Sequence, residues 1–250
     1  MQRDELVTYL DGLLRVQEIS DPSQNGLQVE GAAEVETVAF TVDASQAAFE
    51  AAAAAGAQML VVHHGLFWGQ SLLVRGVHAR RLRALWGVDM SLYAAHLPLD
   101  MHPTLGNNAG LADILDLQDR VPFGLHQGVT IGVGGRLPLA RPLAQVAASL
   151  EPSLGQPLAT WPFGLGLVRR VAICSGRAPD LLFEAAESGY DLFLSGETSH
   201  QAFHQARERA IHVIFGGHYR TETVGPKLLM EHLRGRFQVR TAWLDLPTGL

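Results

Sequence analysis

Two histidine–acid pairs rhyme in this chain. Ala94-Ala95-His96-Leu97-Pro98-Leu99-Asp100 and Gly216-Gly217-His218-Tyr219-Arg220-Thr221-Glu222 both read small-small-His-x3-acid. Each follows an apolar, strand-like run, Val88 to Tyr93 and Ile211 to Phe215. A third group, Val61-Val62-His63-His64-Gly65, also ends an apolar run, and Ser195-Gly196-Glu197 ends a fourth. Imidazoles and carboxylates at strand ends are the donors a divalent metal site uses.

Spacing limits what each group can do alone. His218 and Glu222 share one face if a helix begins at Gly217-His218, and Pro226 restricts where that helix can run. Pro98 stands between His96 and Asp100 and argues against the same helical spacing there. In a strand the adjacent His63 and His64 point to opposite faces, but at a strand end Gly65 frees the backbone to turn, so two metals could take one imidazole each. Each pair alone reads as surface or packing residues. Together, three imidazoles and two carboxylates could hold two ions with a carboxylate bridging. Two ions roughly 3.5–4 Å apart polarise a substrate oxygen and generate hydroxide at neutral pH. The mixed N/O donor set suits Zn, Fe, Mn or Ni without choosing among them.

The elements that must position these residues alternate in type. Leu6, Tyr9, Leu10, Leu13 and Leu14 recur at helical spacing, and Ser20 to Gly26 is dense in turn formers. Val35–Val42 reads as a strand, Gln46–Ala55 as an alanine-rich helix stopping at Gly56, and Met59–Val62 as a short buried strand. A helix from His78 to Trp86 and the strand Val88–Tyr93 follow. The order repeats downstream: strand Val171–Cys174, helix Asp180–Ser188, strand Asp191–Leu194, then Ile211–Phe215. Phe49-Glu50-Ala51-Ala52 matches Phe183-Glu184-Ala185-Ala186, and His78, His96 and Asp100 match His200, His218 and Glu222 at one offset. This alternation predicts an α/β fold of two similar lobes from an internal duplication, with residues 1–125 and 126–250 as the lobes and the C-terminal helix able to pack back on the first. Strand carboxyl ends are where such sheets gather functional residues.

Composition excludes several classes. The 250 residues are 47% hydrophobic with a formal net charge of −6, and the cations are dispersed rather than gathered into a nucleic-acid footprint. No apolar run is long enough to span a bilayer, and the charged N-terminus lacks the core of a signal peptide, so a soluble cytoplasmic protein is expected. The lone Cys174 lies in an apolar strand and reads as a buried small hydrophobe. Gly132-Val133-Gly134-Gly135-Arg136-Leu137 lacks the ending of a phosphate loop and reads as strand and turn. His102, His126, His204, His212 and His232 have no partner at an informative spacing.

Taken in order, the blocks Asn25-Gly26-Leu27-Gln28-Val29, His63-His64-Gly65-Leu66-Phe67-Trp68, Ala95-His96 through Leu99-Asp100, Ser195-Gly196-Glu197 and Gly217 through Glu222 resemble the NIF3-like family, also known as the GTP cyclohydrolase 1 type 2 or DUF34 family. The resemblance covers nearly the whole chain. It implies two α/β lobes with a dinuclear centre in the cleft between them, two divalent ions per chain (Zn, Fe, Mn, Ni or Mg), and a toroidal homohexamer. The family's ligands fall on His63, His64, Asp100, His218 and Glu222. His96 becomes a neighbour or occasional ligand, and Glu197 a candidate for proton transfer. The family's usual proline after the histidine pair is Gly65 here, which implies a looser turn, and Thr198-Ser199-His200 replaces an acid that often follows the Gly-Glu pair. The function implied is a metal-dependent hydrolase of cyclohydrolase or phosphoester type acting on a small molecule. The competing readings are a metal-binding scaffold, a metal chaperone and a regulatory interaction protein.

Overall fold

The computed structural model describes residues 1–250. The first elements are α1 (Arg3–Leu14), β1 (Gly26–Val29), β2 (Thr37–Asp43), α2 (Gln46–Ala54), β3 (Met59–His64), α3 (Gly76–Trp86), β4 (Ser91–Ala94), α4 (Leu97–Asp100) and α5 (Asn107–Ile114). Next come the long hairpin β5 (Gln118–His126) and β6 (Val129–Arg141), α6 (Leu143–Leu154), β7 (Ala159–Trp161), β8 (Val168–Cys174) and, after one 3-10 turn, α7 (Leu182–Glu187). The chain closes with β9 (Leu192–Ser195), α8 (His200–Glu208), β10 (His212–Phe215), α9 (His218–Glu222), α10 (Val224–Arg236) and β11 (Arg240–Trp243). The fold is α/β, and no helix is long and apolar enough to cross a membrane.

Two compact units result. Unit 1 is Met1–Leu99 with Pro226–Leu246, and unit 2 is Asp100–Gly225 with Pro247–Leu250. The chain therefore changes unit at Leu99–Asp100, not at the 125/126 division expected from pattern. The reason is packing that composition does not display: Leu111, Leu115 and Leu117 belong to the core of unit 2, and β5 is the hairpin partner of β6.

Unit 1 is built on a five-stranded sheet in the order β1-β4-β3-β2-β11. All neighbours are parallel except β1, which runs antiparallel to β4 and was hidden in the turn-rich segment. Its three inner strands, β2, β3 and β4, are buried on both faces, as parallel sheets require. Ala39, Leu60, Val62 and Leu92 pack with Phe49 of α2 and Leu82 and Leu85 of α3. Val38, Phe40, Val61 and Tyr93 alternate onto the other face, where the Tyr93 hydroxyl donates to Asp11 of α1 at 2.9 Å. Ser45 caps α2 by accepting the Ala48 amide, and Asp4 and Glu5 suit the positive end of α1.

Unit 2 carries a six-stranded sheet in the order β5-β6-β8-β9-β10-β7, parallel only through β8, β9 and β10. The pleat sorts its side chains cleanly. Val171, Ile173, Leu192, Leu194 and Ile214 join one core with α5 and α6; Ala172, Cys174, Phe193, Val213 and Phe215 join another with α7 and α8. Each fully buried Leu, Ile or Phe contributes about 1.5–3 kcal/mol, so the strand ends are held rigidly where the polar residues begin. β2-α2-β3-α3-β4 and β8-α7-β9-α8-β10 follow the same order of elements, and each run leads into a short helix, α4 or α9, carrying the acid of one rhyme.

Candidate metal centre

In unit 1, His63 and His64 end β3, and His96 follows β4 next in the sheet. The ring centroids are 4.8 Å apart for His63–His64, 5.1 Å for His63–His96 and 5.6 Å for His64–His96. One ligand nitrogen from each lies within 4.8 Å of the others. The adjacent pair thus comes together although both residues belong to β3, which ends just before the turn at Gly65. Gly65 makes that turn tight rather than loose. A Cβ there would sit 2.4 Å from the Gln28 carboxamide, which accepts the Leu66 amide at 2.7 Å. Trp68 covers the group, its ring 5.0 Å from that of His96 and its indole N–H donating to the Gly65 carbonyl.

Each of these imidazoles is oriented by an oxygen. His63 Nδ1–H donates to the Ala95 carbonyl at 2.8 Å, His64 Nδ1–H to Asp43 Oδ1 at 2.8 Å, and His96 Nδ1–H to Asp21 Oδ1 at 3.0 Å. Asp21 is the hub of the turn-rich loop. Its carboxylate also accepts the Ser23 and Leu97 amides and the Asn25 side chain, each at 2.9 Å, while Asn25 accepts the His96 amide at 2.8 Å. Burial pushes the Asp21 pKa up, but the hydrogen bond and charge of His96, with the Asn25 and Ser23 donors, outweigh it and hold the pKa below the ordinary value.

In unit 2, His218 opens α9 and Glu222 lies one turn on. The helix begins after Gly217, whose φ of 101° needs a glycine. His218 Nδ1 faces Glu197 Oε1 at 2.5 Å, and Nε2 faces Glu222 Oε2 at 3.1 Å. A neutral ring donating from Nδ1 turns its Nε2 lone pair toward a carboxylate oxygen, so a proton or a cation must lie between them. Gly176, at φ +60°, opens the space for the acid: a Cβ there would fall 2.0 Å from Glu222 Oε1. Asp100 stands beside the same turn after β8. Its Oδ1 accepts Asn107 Nδ2 at 2.8 Å and the Ser175 hydroxyl at 2.9 Å. Pro98 does not disrupt this approach, since it lies in the first turn of α4, where its missing N–H costs nothing.

Proton placement separates these histidines from others. His63, His64, His96 and His218 all set Nδ1 against an oxygen acceptor; in the first three this leaves Nε2 as the lone-pair nitrogen of a neutral ring, while the Nε2 of His218 faces Glu222. His102 and His212 do the reverse, accepting backbone amides at Nδ1. Asp21, Asp43, Ser175 and Asn107 were not singled out from sequence. Asp43 could have been, because it ends β2 in register with His64. Cys174 is buried, and burial first, then Asp100, Glu222 and Glu184, raise its pKa well above a free thiol's.

Residues 1–247 match the family described as Duf34/NIF3 (NGG1p interacting factor 3). A GTP cyclohydrolase 1 type 2 homolog of Archaeoglobus fulgidus is 44% identical over 100% of both chains, and one of Pyrococcus abyssi is 43% identical over 100% of both. The crystal structure of TTHA1606 from Thermus thermophilus is similar with a TM-score of 0.91 at 46% identity, covering 100% of both chains.

Proposed function

This chain belongs to the Duf34/NIF3 family, and from that premise we propose that it binds two divalent metal ions and acts as a hydrolase of cyclohydrolase or phosphoester type. His63, His64, Asp100, His218 and Glu222 are the proposed ligands. The observation that carries the reading is the common ring orientation: four imidazoles, each backed at Nδ1 by an oxygen with Nε2 turned away from that support. That backing is what metal-bound histidines use to fix ring orientation and raise donor strength. The relatives' shared name, GTP cyclohydrolase 1 type 2 homolog, supports the reaction class.

Two divalent ions in an N/O donor set supply Lewis acidity and a nucleophile at neutral pH. The protein's own groups do the rest. Ser175 and Asn107 hold one oxygen of Asp100 and so aim the other. Glu197 holds the proton on His218 Nδ1 and is itself approached by Arg177 at 3.8 Å. His96, backed by Asp21 and packed edge-on by Trp68, stands ready to donate or accept at Nε2. The family resemblance also makes a homohexamer the proposed assembly, checked by light scattering.

The test is metal content per chain together with turnover on GTP, other nucleotides and simple phosphoesters. Two ions in the wild type, falling in His63→Ala and in Glu222→Ala along with turnover, is the expected result. Activity that survives both Asp100→Ala and Glu222→Ala refutes the reading. Two ions with no turnover on any of these substrates favours a scaffold or metal chaperone instead.

A further inference from the structure

Unit 2 contains a cavity of about 530 Å³, lined by Asp100 alone of the proposed ligands. One wall is the segment through Asp100 and His102; the other is the β5–β6 hairpin, which contributes Arg120, Val121 and Val133. This volume is that of a site for a small organic ligand, and such sites pair apolar walls with a few fixed polar groups.

The polar groups favour one kind of ligand. His102 Nδ1 is taken up by the Thr104 and Leu105 amides, which it accepts at 3.3 and 3.0 Å, so it offers a ligand no acceptor there. Arg120 is held by the Leu117 carbonyl at 2.8 Å and by Asp113 at 2.6 Å. Asp113 balances its charge, so Arg120 offers directed N–H groups rather than a net field for an anion. Asp100 closes one end, its Oδ1 already committed to Asn107 and Ser175. We propose that this cavity binds an uncharged organic ring bearing hydrogen-bond acceptors, with one edge of the ring beside Asp100. Identifying that ring as part of the substrate rests on Asp100 being a metal ligand; the cavity's preference for such a ring does not.

The test uses the full chain, stripped with EDTA, and two neutral fluorescent probes of similar shape. 7-Methoxycoumarin carries ring acceptors, and 2-methoxynaphthalene lacks the lactone. The expected result is one coumarin site per chain with at least fivefold preference over the naphthalene. Val121→Trp, at a position 49% exposed where a larger side chain can be accommodated without disturbing the core, should weaken both probes tenfold or more. Arg120→Met should weaken the coumarin at least fivefold and leave the naphthalene within twofold. Equal affinity for the two probes, or coumarin binding unchanged in both variants, overturns the proposal. Metal content is measured on the same variants before stripping. Coumarin binding in a wild type that takes up no metal sinks the proposed function and leaves the cavity assignment standing; two retained ions without coumarin binding do the opposite.

Discussion

Replacing Asp21 tests whether the turn-rich loop is the support of His96. The Asp21 side chain is 1% exposed and accepts from the Ser23 amide, the Leu97 amide, Asn25 Nδ2 and His96 Nδ1. In Asp21→Ala the Asn25 and His96 side chains can turn to find water, but the two backbone amides cannot. At about 1–3 kcal/mol for each buried donor left unsatisfied, the expected loss is about 3–4 kcal/mol. Asp21→Asn keeps one acceptor oxygen and should lose about half of that. The pH dependence follows from the depressed pKa of the folded state. The unfolded carboxylate titrates at about 3.9, so this stability is complete above that pH and is lost as pH falls through the lower folded value. Urea unfolding at pH 7 and at steps down to pH 3 should show the gap between wild type and Asp21→Ala narrowing only at the acid end. A gap under 1 kcal/mol at pH 7, or one that stays constant into acid, refutes the reasoning.

Gly176→Ala should cost about 1–2 kcal/mol in backbone strain at its left-handed φ and also lower metal content, since the new methyl displaces Glu222. Gly12→Ala, in α1 with nothing within 4 Å, is the matched control, and its thermal midpoint should not fall. Glu197→Gln should keep His218 in place but weaken its support, reducing metal affinity by roughly 10–100-fold; a titration against a competing chelator reads this directly. Cys174 should resist thiol reagents at pH 8 in the folded protein and react at once in urea, because burial and the nearby carboxylates suppress its thiolate.

The parallel strands were legible because they are apolar runs ending in polar residues, and both rhymes do follow the third strand of their run. What sequence could not show was pairing at a distance. β1 looked like loop because its four residues are held by antiparallel bonding to β4, not by composition. β11 looked like nothing in particular until its register with β2 was known. Among the site residues, the acids and imidazoles were visible by type and spacing. Asp21 was not, since an aspartate before proline is an ordinary turn residue until four donors converge on it. The same limit applied to Gly65, where the freedom of a glycine suggested slack and the structure uses it for close approach of Gln28.

The void at Gly176 acts as a length gauge. Glu222 reaches across it, and its terminal oxygen occupies space that any other residue at 176 would claim with a methyl group. An aspartate at 222 would fall short and leave a hole; a side chain at 176 would push the glutamate out. The two positions are thus a lock and its key, written 46 residues apart. Anyone altering this protein by recombination or library design has to move them together, because neither one carries its meaning alone.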